Sequence, residues 1–271
     1  MQRRERPSRY NTGMDRTFTF LGTGTSVGVP VIGCNCAVCQ SPNPRNHRYR
    51  CSALIHTARG NILIDTTPEL RLQLLRERIP VAHAVLYTHY HADHLMGLDD
   101  LRLFPRYLGH PLPIYCTEET EQVIRRAFPY AFHENTAHLP FGAIPRLEFH
   151  SIETEPFEVL DERVTPIPLQ HAWFSVLGFR IGNLAYCTDL NEIPDSSLPL
   201  LEGLDVLILD CLRQKPHPAH LSLEQSLDII QRLKPRRAWL THMAHELDYE
   251  TVNPTLPPEV QMAYDGLKFL F

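Results

Sequence analysis

The segment Thr88-His89-Tyr90-His91-Ala92-Asp93-His94 constrains this chain more than any other stretch. Three imidazoles and a carboxylate this close together are suited to a divalent cation such as zinc, iron or manganese. The run before it, AHAVLYT at 82–88, predicts a strand. Alternate side chains of an extended chain share a face. His89, His91 and Asp93 can therefore converge, and His94 can turn in as the chain leaves the strand. The spacing is not that of a helical zinc motif, whose two His lie four apart. A carboxylate among the imidazoles favours a two-metal centre over a structural zinc site.

Further ligands are expected where other strands end. His171 follows the run 164–169, Asp189 ends the run AYCTD, and His242 ends the run AWLTH. The rest of the pattern predicts strands at 17–21, 52–57, 61–65, 174–181, 183–188, 205–210 and 237–241. It predicts helices at 68–78, 118–128 and 222–234. In the first helix Leu70, Leu74 and Leu75 are the expected apolar positions. In the last, Ser222 and Gln225 form a capping box ahead of the stripe Leu223, Leu227, Ile230 and Leu233. Strands first, then strands alternating with helices, twice over, predict an α/β layered domain with helices outside sheets. Residues 1–15, with Arg3, Arg4, Arg6 and Arg9, are read as a flexible arm, and residues 16–271 as one domain. No apolar run follows the arginines as an export signal requires, and no stretch has the length of a membrane span. A cytoplasmic protein is expected.

Cys34, Cys36 and Cys39 crowd into a Gly- and Pro-rich loop. In an unexported chain such clustering indicates metal rather than disulfides. Structural zinc takes four ligands, and His47, Cys51 and His245 are candidates for the fourth. Gly22, Gly24 and Gly28 precede this loop, but Pro30 and the Cys cluster follow where a dinucleotide fingerprint needs a helix. They are read as a glycine turn near the active site.

Taken together, THYHADH, LGTGTSVGVP, the C-x-C-x-x-C loop and the ending THMAH resemble the metallo-β-lactamase superfamily. Within it they are most similar to the phosphoribosyl cyclic phosphate phosphodiesterases of the carbon–phosphorus lyase pathway and their relatives. The resemblance implies a four-layer αβ/βα sandwich with a two-metal site between the sheets. It implies that His89, His91 and His171 hold one metal, that Asp93, His94 and His242 hold the other, and that Asp189 bridges them. Asp65 matches an Asp that orients the metal loop from outside the ligand set, although a helix cap ahead of Pro68 is the alternative on sequence alone. Cys34, Cys36, Cys39 and His245 match a structural zinc site. His220 matches a family His and is the candidate general acid, with Asp93 the other catalytic candidate. A pyrroloquinoline-quinone biosynthesis protein shares the Cys loop but has a degenerate His cluster; the full cluster here favours the hydrolase branch.

The expectation is a phosphodiesterase with two divalent metals, zinc or manganese, and one structural zinc. A hydroxide bridging the two metals would attack a cyclic or small phosphodiester, such as a phosphoribosyl cyclic phosphate or a cyclic-nucleotide-like ester. The alternatives are a lactonase, a thioesterase or an RNA-processing nuclease on the same fold, or a non-catalytic metal- or ligand-binding relative. A formal net charge of −5 argues against a stable nucleic-acid complex or a membrane surface as partner. A homodimer is compatible with the sequence. Asp99, Asp100 and Arg102 are read either as a phosphate contact or as a surface ion pair.

Overall fold

A computed structural model describes residues 16–136 and 138–271, so the arm read at 1–15 lies outside the described residues. Two seven-stranded sheets face each other. The first runs in the order β14-β1-β2-β3-β4-β5-β6, where β1 is Thr17–Gly22, β2 Ser52–Thr57, β3 Gly60–Ile64, β4 Ala84–Leu86, β5 Leu112–Cys116, β6 Leu147–Ser151 and β14 Lys268–Leu270. The second runs β13-β12-β11-β10-β9-β8-β7. Here β7 is Phe157–Val159, β8 Glu162–His171, β9 Phe174–Ile181, β10 Leu184–Cys187, β11 Val206–Asp210, β12 Arg237–Thr241 and β13 Val260–Met262.

Both faces of the central strands are covered, which is why they read as near-continuous apolar runs. In β11, Val206 and Ile208 point between the sheets, while Leu207 and Leu209 point to the layer containing α5 (Leu223–Leu233). In β3, Ile62 and Ile64 face the other sheet, and Leu63 faces α1 (Leu70–Glu77) and α4 (Glu118–Ala127). Helix, sheet, sheet and helix make the four-layer αβ/βα sandwich.

Helix α5 begins on the expected capping box, with the Ser222 and Gln225 side chains each bonded to the other's backbone N–H. Helix α1 corrects one expectation. Its buried face is Leu70, Gln73 and Leu74, and Leu75 is 60% exposed. Residues 70 and 74 lie one turn apart, whereas 75 is rotated about 100° further around the helix. Three other short helices complete the named elements: α2 (Ala92–Leu95), α3 (Phe104–Leu108) and α6 (Tyr249–Val252).

Glycine brings the two sheets together beside the site. Gly24 makes parallel bridges to both Arg50 and Met243, and a β-carbon added at Gly24 would stand 2.7 Å from the Arg48 carbonyl. Only glycine allows that approach. No dinucleotide-type helix follows, as expected. No helix is long and apolar enough to cross a membrane among the described residues.

Candidate metal centre

The expected residues meet where the strands end. Asp65 follows β3, Thr88 and His89 follow β4, His171 ends β8, Asp189 follows β10, Asp210 ends β11 and His242 follows β12. Asp65, Asp189 and His242 all take the left-handed backbone conformation, with φ of 61°, 55° and 59°. Non-glycine residues rarely do so, and such positions concentrate at functional sites. The chain thereby turns sharply off each strand and aims the side chain inward.

Two adjoining groups result. Side-chain ligand atoms of His89, His91 and His171 lie within 4.8 Å of one another, as do those of Asp93, His94, Asp189 and His242. The alternation argument holds for His89 and His91 only. Asp93 and His94 sit on the short helix α2, capped at His91, and a helical turn rather than a pleat brings them in.

The outer nitrogens of three imidazoles, His89, His94 and His171, are already engaged. His94 Nδ1 donates to Asp65 Oδ2 at 2.7 Å, and His171 Nδ1 donates to the Ala219 carbonyl at 2.7 Å. Thr88 Oγ1 donates to Asp65 Oδ2 at 2.7 Å and accepts from His89 Nδ1 at 2.9 Å. Each pairing leaves Nε2 as the inward-facing nitrogen. His89 Nε2, His94 Nε2 and both nitrogens of His242 are buried without a hydrogen-bond partner. Yet His94 Nε2 lies 3.0 Å from Asp189 Oδ2, and His242 Nε2 lies 3.1 Å from Asp189 Oδ1. Close approach without hydrogen-bond geometry is how nitrogen and oxygen ligands stand when both face one cation. The donor set therefore fits divalent metals.

Electrostatics agree. Burial holds His89, His91 and His171 below the usual imidazole range, in the neutral form that ligates. Burial would raise Asp93 and Asp189, but the charges of His94 and His242 outweigh it and hold both carboxyls low. Burial likewise opposes charge on His94 and His242, yet the carboxylates, Asp189 foremost, keep both well above the usual range. A buried nest of carboxylates draws positive charge to itself. Asp65 is not a helix cap, since Glu69 occupies the cap position of α1.

Sequence reasoning missed Asp210. It is fully buried, and its Oδ1 accepts from the Asp189 N–H at 3.0 Å and from His220 Nδ1 at 3.3 Å. Its Oδ2 accepts from the Leu221 N–H at 3.0 Å. The available signal was an apolar run, VLILD, ending in a carboxylate just as ILID ends in Asp65. His220 stands between the groups, its ring stacked on His242 at 4.7 Å and 4.7 Å from His171. Asp99 and Arg102 pair with each other, the surface reading of that segment.

A second cluster lies on loops. Nδ1 of His245 is 3.2, 3.5 and 3.3 Å from the sulfurs of Cys34, Cys36 and Cys39. The other two candidates for fourth ligand are elsewhere: His47 Nε2 meets the Ser41 carbonyl at 2.9 Å, and Cys51 is buried against Thr241. The Cys39 N–H lowers the Cys36 thiol to about 7, and burial raises that of Cys39 to about 11. Arg48 holds this region closed. Arg48 is 1% exposed, and its guanidinium donates to the carbonyls of Ala244 at 2.8 Å and Leu247 at 2.6 Å, on either side of His245.

Comparison with known proteins bears on both clusters. The family model described as "Beta-lactamase superfamily domain" matches residues 60–243. A solved structure described as a new diphosphatase from the PhnP family superposes with a TM-score of 0.89 at 43% identity, covering 95% of this chain and 98% of that one. Zinc-bound PqqB from Methylobacterium extorquens shares the fold with a TM-score of 0.75 at 19% identity, over 93% of this chain and 99% of that one. A Porphyromonas gingivalis protein named octanoyltransferase is 36% identical over 92% of this chain. The chain spans 50% of that relative's length.

Proposed function

The chain belongs to the metallo-β-lactamase superfamily of metal-dependent hydrolases, and from that premise we propose that it cleaves a P–O bond in a cyclic or small phosphodiester. The observation that carries this reading is the complete ligand set, with both oxygens of Asp189 turned toward imidazoles of the second group. His89, His91 and His171 would hold one divalent cation, Asp93, His94 and His242 the other, with Asp189 shared. Zinc and manganese both suit these donors. Cations at such a centre lower the pKa of a water and offset charge building on phosphoryl oxygens. Cys34, Cys36, Cys39 and His245 would hold a structural zinc.

The protein's own groups do the rest. Asp93, held ionised, would help hold a cation and orient the attacking water. His220 gives a proton to the leaving oxygen. Asp210, accepting from His220 Nδ1, fixes the ring so that Nε2 is the nitrogen that exchanges the proton. Asp65 and Thr88 lock His94 and His89 in their ligating orientation. The substrate is small, and a cytoplasmic setting suits it.

A second reading, hydrolysis of a P–O–P linkage in a small diphosphate, is favoured by the PhnP-family diphosphatase at 43% identity. One experiment separates the possibilities: metal-reconstituted protein assayed on cyclic phosphates, linear diesters, small diphosphates, lactones and acyl thioesters, an octanoyl thioester among them. Turnover confined to the phosphorus substrates is expected, and the faster of the diester and diphosphate classes decides between the two readings. Comparable rates on lactones or thioesters would overturn both.

A further inference from the structure

Beside the three-His group the hairpin joining β8 and β9 carries an unusual tip. His171 and Phe174 are cross-strand partners, and between them lie Ala172 and Trp173. Trp173 is 88% exposed. A lone exposed apolar residue is ordinary, but this one is held in place. Ala172 takes the left-handed conformation, with φ of 52°. Its N–H donates to Asn191 Oδ1 at 2.6 Å, and its carbonyl accepts from Gln170 Nε2 at 3.0 Å. Both backbone groups of Ala172 are thus secured by side chains, and the indole projects from a residue next to that brace.

The indole is also continuous with the reaction centre. Its ring centroid lies 6.1 Å from that of Phe174, which in turn lies 5.0 Å from His91, 5.1 Å from His171 and 6.1 Å from His89. Tyr90 stacks on Phe174 at 5.8 Å and 25°. An aromatic surface therefore runs outward from the side chains that would hold a cation, and ends in solvent at Trp173. A small phosphate ester bound at the centre would extend its organic part along this surface.

We propose that Trp173, backed by Phe174, is a stacking platform for the planar base of a nucleoside phosphate, and so helps to set the substrate class. The proposal rests on the phosphorus-substrate reading above. Stacking of a base on an aromatic side chain accounts for about tenfold in affinity. A ribosyl phosphate without a base would gain nothing from Trp173.

The test is calorimetric binding of AMP and of ribose 5-phosphate to the metal-loaded protein, its Trp173→Ala variant and its Trp173→Phe variant. The wild type should bind AMP about tenfold more tightly than ribose 5-phosphate. Trp173→Ala should remove that preference and Trp173→Phe should keep most of it. AMP should also quench tryptophan emission, because the only other tryptophan, Trp239, is 8% exposed. Equal binding of the two ligands by the wild type, or a preference that survives Trp173→Ala, would overturn the platform while leaving the phosphorus reading intact. Binding of neither ligand would overturn the platform, and the phosphorus reading would then rest on the turnover panel alone. A change of oligomeric state in Trp173→Ala with the preference intact would assign the indole to a contact between copies instead.

Discussion

The His/Asp cluster draws its side chains from the ends of β4, β8, β10 and β12 and from α2, whereas the Cys cluster takes three of its four from one loop. The first is buried apart from half-buried His91, and hydrogen bonds to Asp65, Thr88, Asp210 and the Ala219 carbonyl set its geometry. The second is half-exposed, with only Cys39 buried, and Arg48 is its principal clamp. On the proposed reading, the difference separates two uses of a metal site. A centre that performs chemistry is preorganised by rigid elements and a supporting shell of hydrogen bonds. A site that closes a loop lets the bound ion contribute to folding. The two are joined within three residues, since His242 belongs to one and His245 to the other.

Substitutions can break this contrast. The largest effect is expected at His220. His220→Ala should slow turnover by about 10²–10⁴-fold with metal content unchanged, measured by steady-state kinetics beside elemental analysis. Loss of metal from that variant would make His220 a ligand rather than the acid. Asp210→Asn should be milder, because it meets the proposed ligands through the Asp189 N–H and through His242 Nδ1, 3.7 Å from its Oδ1, and otherwise acts on His220. Metal affinity, measured by competition with a chelator, should fall by about 10–100-fold. Arg48→Met should leave the His/Asp affinities nearly unchanged while speeding zinc release from the Cys cluster. It strands the buried Leu247 carbonyl at a cost of about 1–3 kcal/mol and leaves the Ala244 carbonyl with the Leu247 N–H alone, which thermal unfolding would register. An equal loss at both clusters would show that they are one mechanical unit.

Much of this was legible in the residues. THYHADH, the strand-end His171, Asp189 and His242, and the Cys loop all mark, by residue type and position, side chains that the fold brings together. Helix α5 was legible because its cap and apolar stripe are both local signals. Other parts were not. Strands β5, β6 and β7 went unread because the chain around them, outside the helix at 118–128 and the run at 164–169, is broken by prolines and short 3-10 turns and carries no sustained alternation. Edge strands β13 and β14 are only three residues each, too short to show alternation. Asp210 was missed because a carboxylate at a strand end resembles any solvated turn until its partners, distant in sequence, are brought to it. Arg48 was missed for a similar reason: a basic loop residue is expected at the surface, and only the fold shows the carbonyls that bury it.

The most direct test is a metal count on the intact chain by native mass spectrometry, comparing wild type with Asp189→Ala after reconstitution. Asp189 faces ligands of the first cluster and none of the second. The expectation is about three ions in the wild type, two at the His/Asp centre and one at the Cys cluster, with only the Cys-bound ion kept at full occupancy in the variant. A variant that retains every ion, or that loses the Cys-bound ion along with the others, would contradict the separation of a chemical centre from a loop-closing site.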